Sequence, residues 1–218
     1  MAGLSGRQGA RLSRHLAFWR LIAQGATEHR ADVVVLDVGP NLGALNRAAL
    51  VAADHVLIPL APDLFSVQGL RNLGPTLRTW RAEWQERLVK TPDPGLSLPA
   101  GRMQPIGYVL LQHGVRLGSP VAAYQRWMTK IPGVYATDVL AEPSPASSDV
   151  NDDPHCLAQL KRYRSLMPMA QEAQKPVFAL KPADGAFGGH QQAARRAYED
   201  FAQLMAVLES RTEATAAV

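Results

Sequence analysis

Residues 31–62 read ADVVVLDVGPNLGALNRAALVAADHVLIPLAP. Val33–Leu36 is a continuous apolar run closed by Asp37, which predicts a strand buried on both faces of a parallel sheet. Gly39-Pro40 makes a turn, and Asn41–Ala53, rich in Ala and Leu, predicts a helix. His55–Pro59 predicts the next strand. Strand, turn, helix and strand in this order are the repeating unit of a parallel α/β architecture rather than of a helical bundle.

The flanking segments extend the same alternation. Leu12, Leu16, Trp19 and Ala23 fall on one helical stripe over residues 10–24, and Gly25 can end it. Ser66 is placed to cap a long helix over 67–88, with Trp80 and Trp84 one turn apart. Residues 91–105 hold four prolines and two glycines and predict a loop. Ile106–Gln112 predicts a strand, Val121–Lys130 a helix stopped by Pro132, and Leu157–Gln174 a further helix. Pro176–Leu180 predicts a last short strand and residues 191–210 a closing helix. The polar, proline-rich stretch Glu142–Pro154 predicts a mobile insertion. One α/β domain is expected over residues 1–210, with 211–218 a frayed tail.

Composition fits a globular α/β chain. Of 218 residues, 47% are hydrophobic and 19% charged, which argues against disorder. The single cysteine, Cys156, excludes an intramolecular disulfide framework and points to a reducing, cytoplasmic setting. No apolar run nears the roughly 18 residues that span a bilayer, so no membrane contact is expected. The basic start, MAGLSGRQGARLSRHLAFW, is too interrupted by Arg and His for a secretory segment. A net charge of +4 is compatible with nucleic acid but does not require it, since no dense Lys/Arg block occurs.

Asp37 is the leading candidate for chemistry. Ligands of parallel sheets gather at the carboxyl ends of strands, and a carboxylate there can hold Mg²⁺ through water beside a phosphate. Capping of the following helix or an Asx turn is the alternative. His113, His155 and His190 are not spaced as a metal set, and Cys156 beside His155 lacks further ligands for zinc. Trp80 and Trp84 suit packing better than base stacking. Arg195, Arg196, Lys161, Arg162 and Arg164 suit either DNA phosphates or solvated helix faces.

The run DVGPNLGALNRAALVAADHVLIPLAPDLFSVQGL resembles the switch II region of the ParA/MinD family of partition ATPases. The matching positions are Asp37, Pro40, Ala53, Asp54, Pro59, Phe65, Ser66 and Gly69. PIGYVLLQH (105–113) resembles the family's next core strand. EAQKPVFALKPADGAFGGHQQAARRAYEDFAQLMAVL resembles its C-terminal strand, base-contacting loop and final helix. The resemblance implies a three-layer, mostly parallel sheet flanked by helices, P-loop NTPase-like and of the SIMIBI type. It also implies ATP and Mg²⁺ as cofactors, with Asp37 catalytic and on the metal side through water and Pro40 shaping the switch turn. Gln112 would lie near the nucleotide base, though a polar residue at a strand end is the alternative. Lys181, Pro182 and Asp184 would form the base loop, where turn chemistry alone is again the alternative. A homodimer, a ParB-like partner, nonspecific DNA and a nucleoid-associated, cytoplasmic location are implied with it.

The sequence departs from the family at one place. The Lys-Gly-Gly-x-Gly-Lys-Thr phosphate loop does not occur in these 218 residues, and Gly3-Leu4-Ser5-Gly6-Arg7-Gln8-Gly9 lacks its lysine and hydroxyl. The fold is therefore expected to be incomplete at the N-terminus, without its first strand and phosphate loop, and to self-associate or be poorly soluble. The function implied is a ParA-like protein of plasmid or chromosome partition that does not hydrolyse ATP as this chain. The alternatives are a non-catalytic interaction or dimerisation module derived from such an ATPase, and a relative acting on a metabolite.

Overall fold

The computed structural model describes residues 6–39, 41–90, 97–113, 115–116, 119–120, 122–161 and 163–216. The chain divides into two compact units, one of residues 1–56 and 73–105, the other of residues 57–72 and 106–218.

The first unit holds α1 (Gly6–His29), α2 (Ala44–Ala52) and the C-terminal part of α3 (Leu64–Lys90). The α1 helix packs against α2, in which Ala48, Ala49 and Ala52 are buried. Val51 is fully buried there. Two tryptophans on α3 organise the rest. Trp84 is 1% exposed and donates from Nε1 to the Pro99 carbonyl at 2.9 Å. The 97–103 segment folds over it, fastened by Gln85 Nε2 to the Ala100 carbonyl and by Arg81 to the Arg102 and Met103 carbonyls. Gly101 has φ +68°, and an added Cβ there would overlap the indole of Trp84. Trp80 lies under the Arg47 guanidinium, 5.1 Å from the ring centroid, and Arg47 also pairs with Glu83.

The second unit contains the sheet. Its order is β1-β2-β5, from β1 (His55–Leu60), β2 (Gln104–His113) and β5 (Cys156–Lys161); β1 enters this unit after Val56. The β2 and β5 strands run parallel, with Tyr108 opposite Cys156, Val109 opposite Ala158 and Leu111 opposite Leu160. A crossover through α3 joins β1 to β2, the connection that parallel neighbours require. A separate two-residue ribbon pairs β3 (Val115–Arg116) with β4 (Ser119–Pro120). There follow α4 (Ala122–Met128), α5 (Ile131–Val134), a π-helical turn (Tyr135–Leu140), α6 (Leu166–Ala173) and α7 (Gly189–Ala216). The α7 helix covers the sheet through Leu204 against Val109, Leu157 and Leu160. Its first half closes a second cluster with Leu166, Ala170, Val177 and Leu180. A parallel sheet flanked by helices is the α/β class expected from the alternation of elements.

Several local expectations are corrected. Val33–Asp37 is not a strand: residues 33–39 have no regular secondary structure and pair with no strand of either sheet. Apolar residues become a strand only where a neighbour supplies ladder bonds, and Val33 and Val35 stand 71% and 84% exposed instead. The Leu157–Gln174 helix is divided. Cys156–Lys161 becomes β5, because pairing with β2 overrides the helical propensity of Leu, Ala, Gln and Lys, and only Leu166–Ala173 is helical. Pro176–Leu180 is a 3₁₀ turn (Val177–Ala179), closed by the Ala179 amide on the Pro176 carbonyl. The Glu142–Pro154 stretch, expected to be a loose insertion, buries Val150 and Asp153. Finally, Asp63 rather than Ser66 caps α3: Asp63 Oδ1 accepts from the Ser66 amide at 2.8 Å. Ser66 instead turns back, its Oγ accepting from the Ala61 amide at 3.0 Å.

Candidate functional site

In the first unit, Asp37 lies in the stretch before α2 and is exposed to solvent. The turn after it is held by one side chain. Asn46, in the first turn of α2, donates from Nδ2 to the Gly39 carbonyl at 2.8 Å and to the Asn41 carbonyl at 2.7 Å. Asn41 Oδ1 in turn accepts from the Gly43 amide at 3.1 Å, an Asx turn that leads into the helix. Asn46 thus fixes the path of the backbone just beyond Asp37, with both carbonyls turned toward its amide. Pro40 lies outside the described residues. Among the described residues, no three His, Cys, Asp or Glu side chains converge as a metal-holding group.

His55 opens β1 in the same unit. Its Nδ1 is buried without a hydrogen-bond partner among the described residues, and burial pulls its pKa below the ordinary histidine value, against the raising effect of Asp54. The neutral imidazole is therefore the form that the fold prefers.

In the second unit the structure brings Lys181, Pro182 and Asp184 into one 3₁₀ turn (Pro182–Asp184). Asp184 Oδ2 accepts from the Lys181 amide at 2.9 Å, and Oδ1 takes the Lys175 ammonium at 2.7 Å. Lys175 chiefly, and then the Lys181 amide, hold the Asp184 carboxyl below the usual range. Both oxygens therefore shape the loop. The Lys181 ammonium belongs to an exposed residue. Gln112 lies in β2, and its side chain is outside the described residues. Arg195 pairs with Glu199 one turn along α7, as expected of a solvated helix face, and Arg162 is outside the described residues.

A polar cluster that the sequence did not reveal sits where β2 and β5 begin. Asp153, only 5% exposed, accepts from the Tyr108 hydroxyl at 2.6 Å and from the His155 amide at 3.0 Å. Tyr135, at the start of the π-helical turn, stacks at a tilt between Tyr108 and His155, with centroids 5.1 and 5.3 Å away. Gly107 has φ +146°, and an added Cβ would come within 2.6 Å of Leu157 Cγ and 2.7 Å of the His155 carbonyl. The strands approach this closely only because that position lacks a side chain. Burial, then the Asp153 charge, pushes the Cys156 thiol up to about 12. The free thiol is thus held in its neutral form at neutral pH. The signal available in the sequence was the run Asp152-Asp153-Pro154-His155-Cys156 just ahead of an apolar pair, which reads equally well as a polar loop.

Comparison with known proteins bears on the first of these regions. The family model described as an AAA domain matches residues 16–90, which take in the Asp37 turn, α2, β1 and α3. A ParA family protein of Chlamydia trachomatis is 48% identical over 46 residues, 21% of this chain and 18% of that relative. The chromosome partitioning protein ParA of Myxococcus xanthus is 44% identical over 46 residues, 21% of this chain and 16% of its own length. The cell division protein PomZ of the same organism is 40% identical over 52 residues, 24% and 16% respectively. The matched stretch spans less than a fifth of the length of these curated relatives. No solved structure matches the chain. Residues 16–90 are thus similar to an AAA-domain family, and a short stretch of the chain is similar to ParA-type partition proteins.

Proposed function

We propose that this chain is a ParA-like, ATPase-family protein of plasmid or chromosome partition. The observation that carries the proposal is the matched segment itself, in which Asp37 stands exposed beside a turn clamped by Asn46. Asp37 would hold Mg²⁺ through water and Pro40 would shape the turn. Gln112 and the Lys181, Pro182 and Asp184 loop would line the nucleotide base. The metal would spread phosphate charge during β–γ cleavage. Homodimerisation, a ParB-like partner and nonspecific DNA on a cytoplasmic nucleoid complete the reading. No described helix is long and apolar enough to cross a membrane, which is compatible with that location.

These 218 residues contain no glycine-rich phosphate loop with its lysine. Catalysis of phosphoryl transfer is mostly positioning and charge stabilisation, so this chain alone should not turn over ATP. The test combines calorimetric titration of ATP·Mg²⁺, phosphate release and anisotropy of a labelled nonspecific duplex. Expected are binding no tighter than high micromolar, no phosphate release, and salt-sensitive DNA binding that ignores nucleotide. A low-micromolar ATP site whose turnover disappears in Asp37→Ala would overturn the inactivity. Failure to bind DNA with or without nucleotide would overturn the partition role and favour a protein-interaction module.

A further inference from the structure

One stretch of the second unit is free of acids. Residues 106–137 contain no Asp or Glu, and their Lys and Arg residues are Arg116, Arg126 and Lys130. Arg126 lies in α4, and Lys130 in the turn that joins α4 to α5. Met128 and Ile131, 6% and 0% exposed, anchor this segment in the core, while Gln125, Arg126, Thr129 and Lys130 are exposed to solvent. Trp127 is half-buried beside them. The Lys130 ammonium lies 4.9 Å from its ring centroid and the Arg126 guanidinium 5.8 Å. Among the described residues, neither cation forms a salt bridge, whereas Arg195 and Lys175 are each engaged by a carboxylate, Glu199 and Asp184. An aromatic face attracts a cation without cancelling its charge. The indole therefore orders two long side chains and leaves both positive charges open to an anion.

We propose that Arg126 and Lys130, ordered by Trp127, contact the phosphate backbone of nucleic acid. Charge complementarity selects the occupant. Cations without an acidic partner, in a stretch of chain without acids, suit a polyanion, and Lys and Arg contacts to phosphate give affinity without sequence preference. The site rests on the nonspecific-DNA part of the partition reading. It places that contact on α4 rather than on α7, where Arg195 is held by Glu199.

Anisotropy of two labelled duplexes of unrelated sequence, titrated with the full chain between about 50 and 200 mM salt, tests it. The wild type should bind both alike. Each phosphate contact adds about 0.9 to the slope of log affinity against log salt. Arg126→Ala combined with Lys130→Ala should therefore flatten the slope by about 2 and weaken binding at least tenfold at low salt. Both side chains are exposed, so the circular dichroism and Tm of this variant should match the wild type. Lys130→Arg should keep the wild-type slope, and so should Arg195→Ala. Trp127→Leu, which retains both cations but not their platform, should weaken binding severalfold at an unchanged slope. A double variant with the wild-type slope, an equal flattening by Arg195→Ala, or a Trp127→Leu variant that binds as tightly as the wild type would each overturn the α4 site and leave the partition reading standing. A wild type that binds neither duplex would overturn both, and the patch would then fit an acidic protein surface.

Discussion

Tyr108→Phe removes one oxygen atom from the cluster that joins β2 to the segment before β5. The ring keeps its place against Tyr135, 5.1 Å away, so the change isolates the hydroxyl. That hydroxyl donates at 2.6 Å to Asp153, which is 5% exposed. Burial first, and the bond to Asp153 second, raise the Tyr108 phenol far above its ordinary value, so it stays protonated throughout the neutral range. Hydrogen bonds to charged groups contribute about 1.5–3 kcal/mol, and Asp153 Oδ2 would be left in a site too buried for water to replace the donor in full. A loss of about 2 kcal/mol is expected. For a chain of this length each kcal/mol moves Tm by about 2–4 °C, so Tyr108→Phe should melt about 4–8 °C lower. Tyr163→Phe is the matched control. Its hydroxyl donates to Asp200 at a longer 3.2 Å from a half-buried position, and should be worth less than about 1 kcal/mol. Thermal melts of both variants beside the wild type decide the matter. Equal shifts, or a larger one for Tyr163→Phe, would refute the view that the Asp153 cluster anchors these strands.

Two further outcomes follow from the first unit. Gly101→Ala places a Cβ against the Trp84 indole and forces a side chain into the left-handed region, which alone costs about 1–2 kcal/mol. Urea unfolding should show a loss of at least about 2 kcal/mol; a loss under 0.5 kcal/mol would mean that the 97–103 segment is not fixed on Trp84. The second concerns pH. The His55 pKa is lowered on folding, so the unfolded chain binds more protons as pH falls through the ordinary histidine value. The stability contributed by neutral His55 is present above that value and lost as pH drops toward the folded pKa. His55→Asn should flatten the decline in urea midpoint between pH 7 and 5.5; an unchanged slope would remove His55 as its source.

Much of the architecture was legible in the sequence because it rests on local patterns. Alternating apolar runs and helical stripes announced β1, α3, β2 and α7, and the expected residue ranges fall within them. What the pattern could not supply was pairing. Val33–Leu36 has the composition of a buried strand and is not one, while Cys156–Lys161 has a helical composition and is one. The backbone bonds that decide between the two states come from residues distant in the chain.

Tertiary structure alone also chose the polar contacts. Asp153 lies 45 residues from Tyr108, and only the parallel register of β2 and β5 sets them together. The partners of Asp184 were likewise open in the sequence; the fold brings Lys175 to one oxygen and the Lys181 amide to the other. A hydrophobic run states its preference for burial wherever it occurs, because that preference belongs to the side chain. A strand or a buried carboxylate is stable only with its partner present, and the partner is fixed by the path of the whole chain.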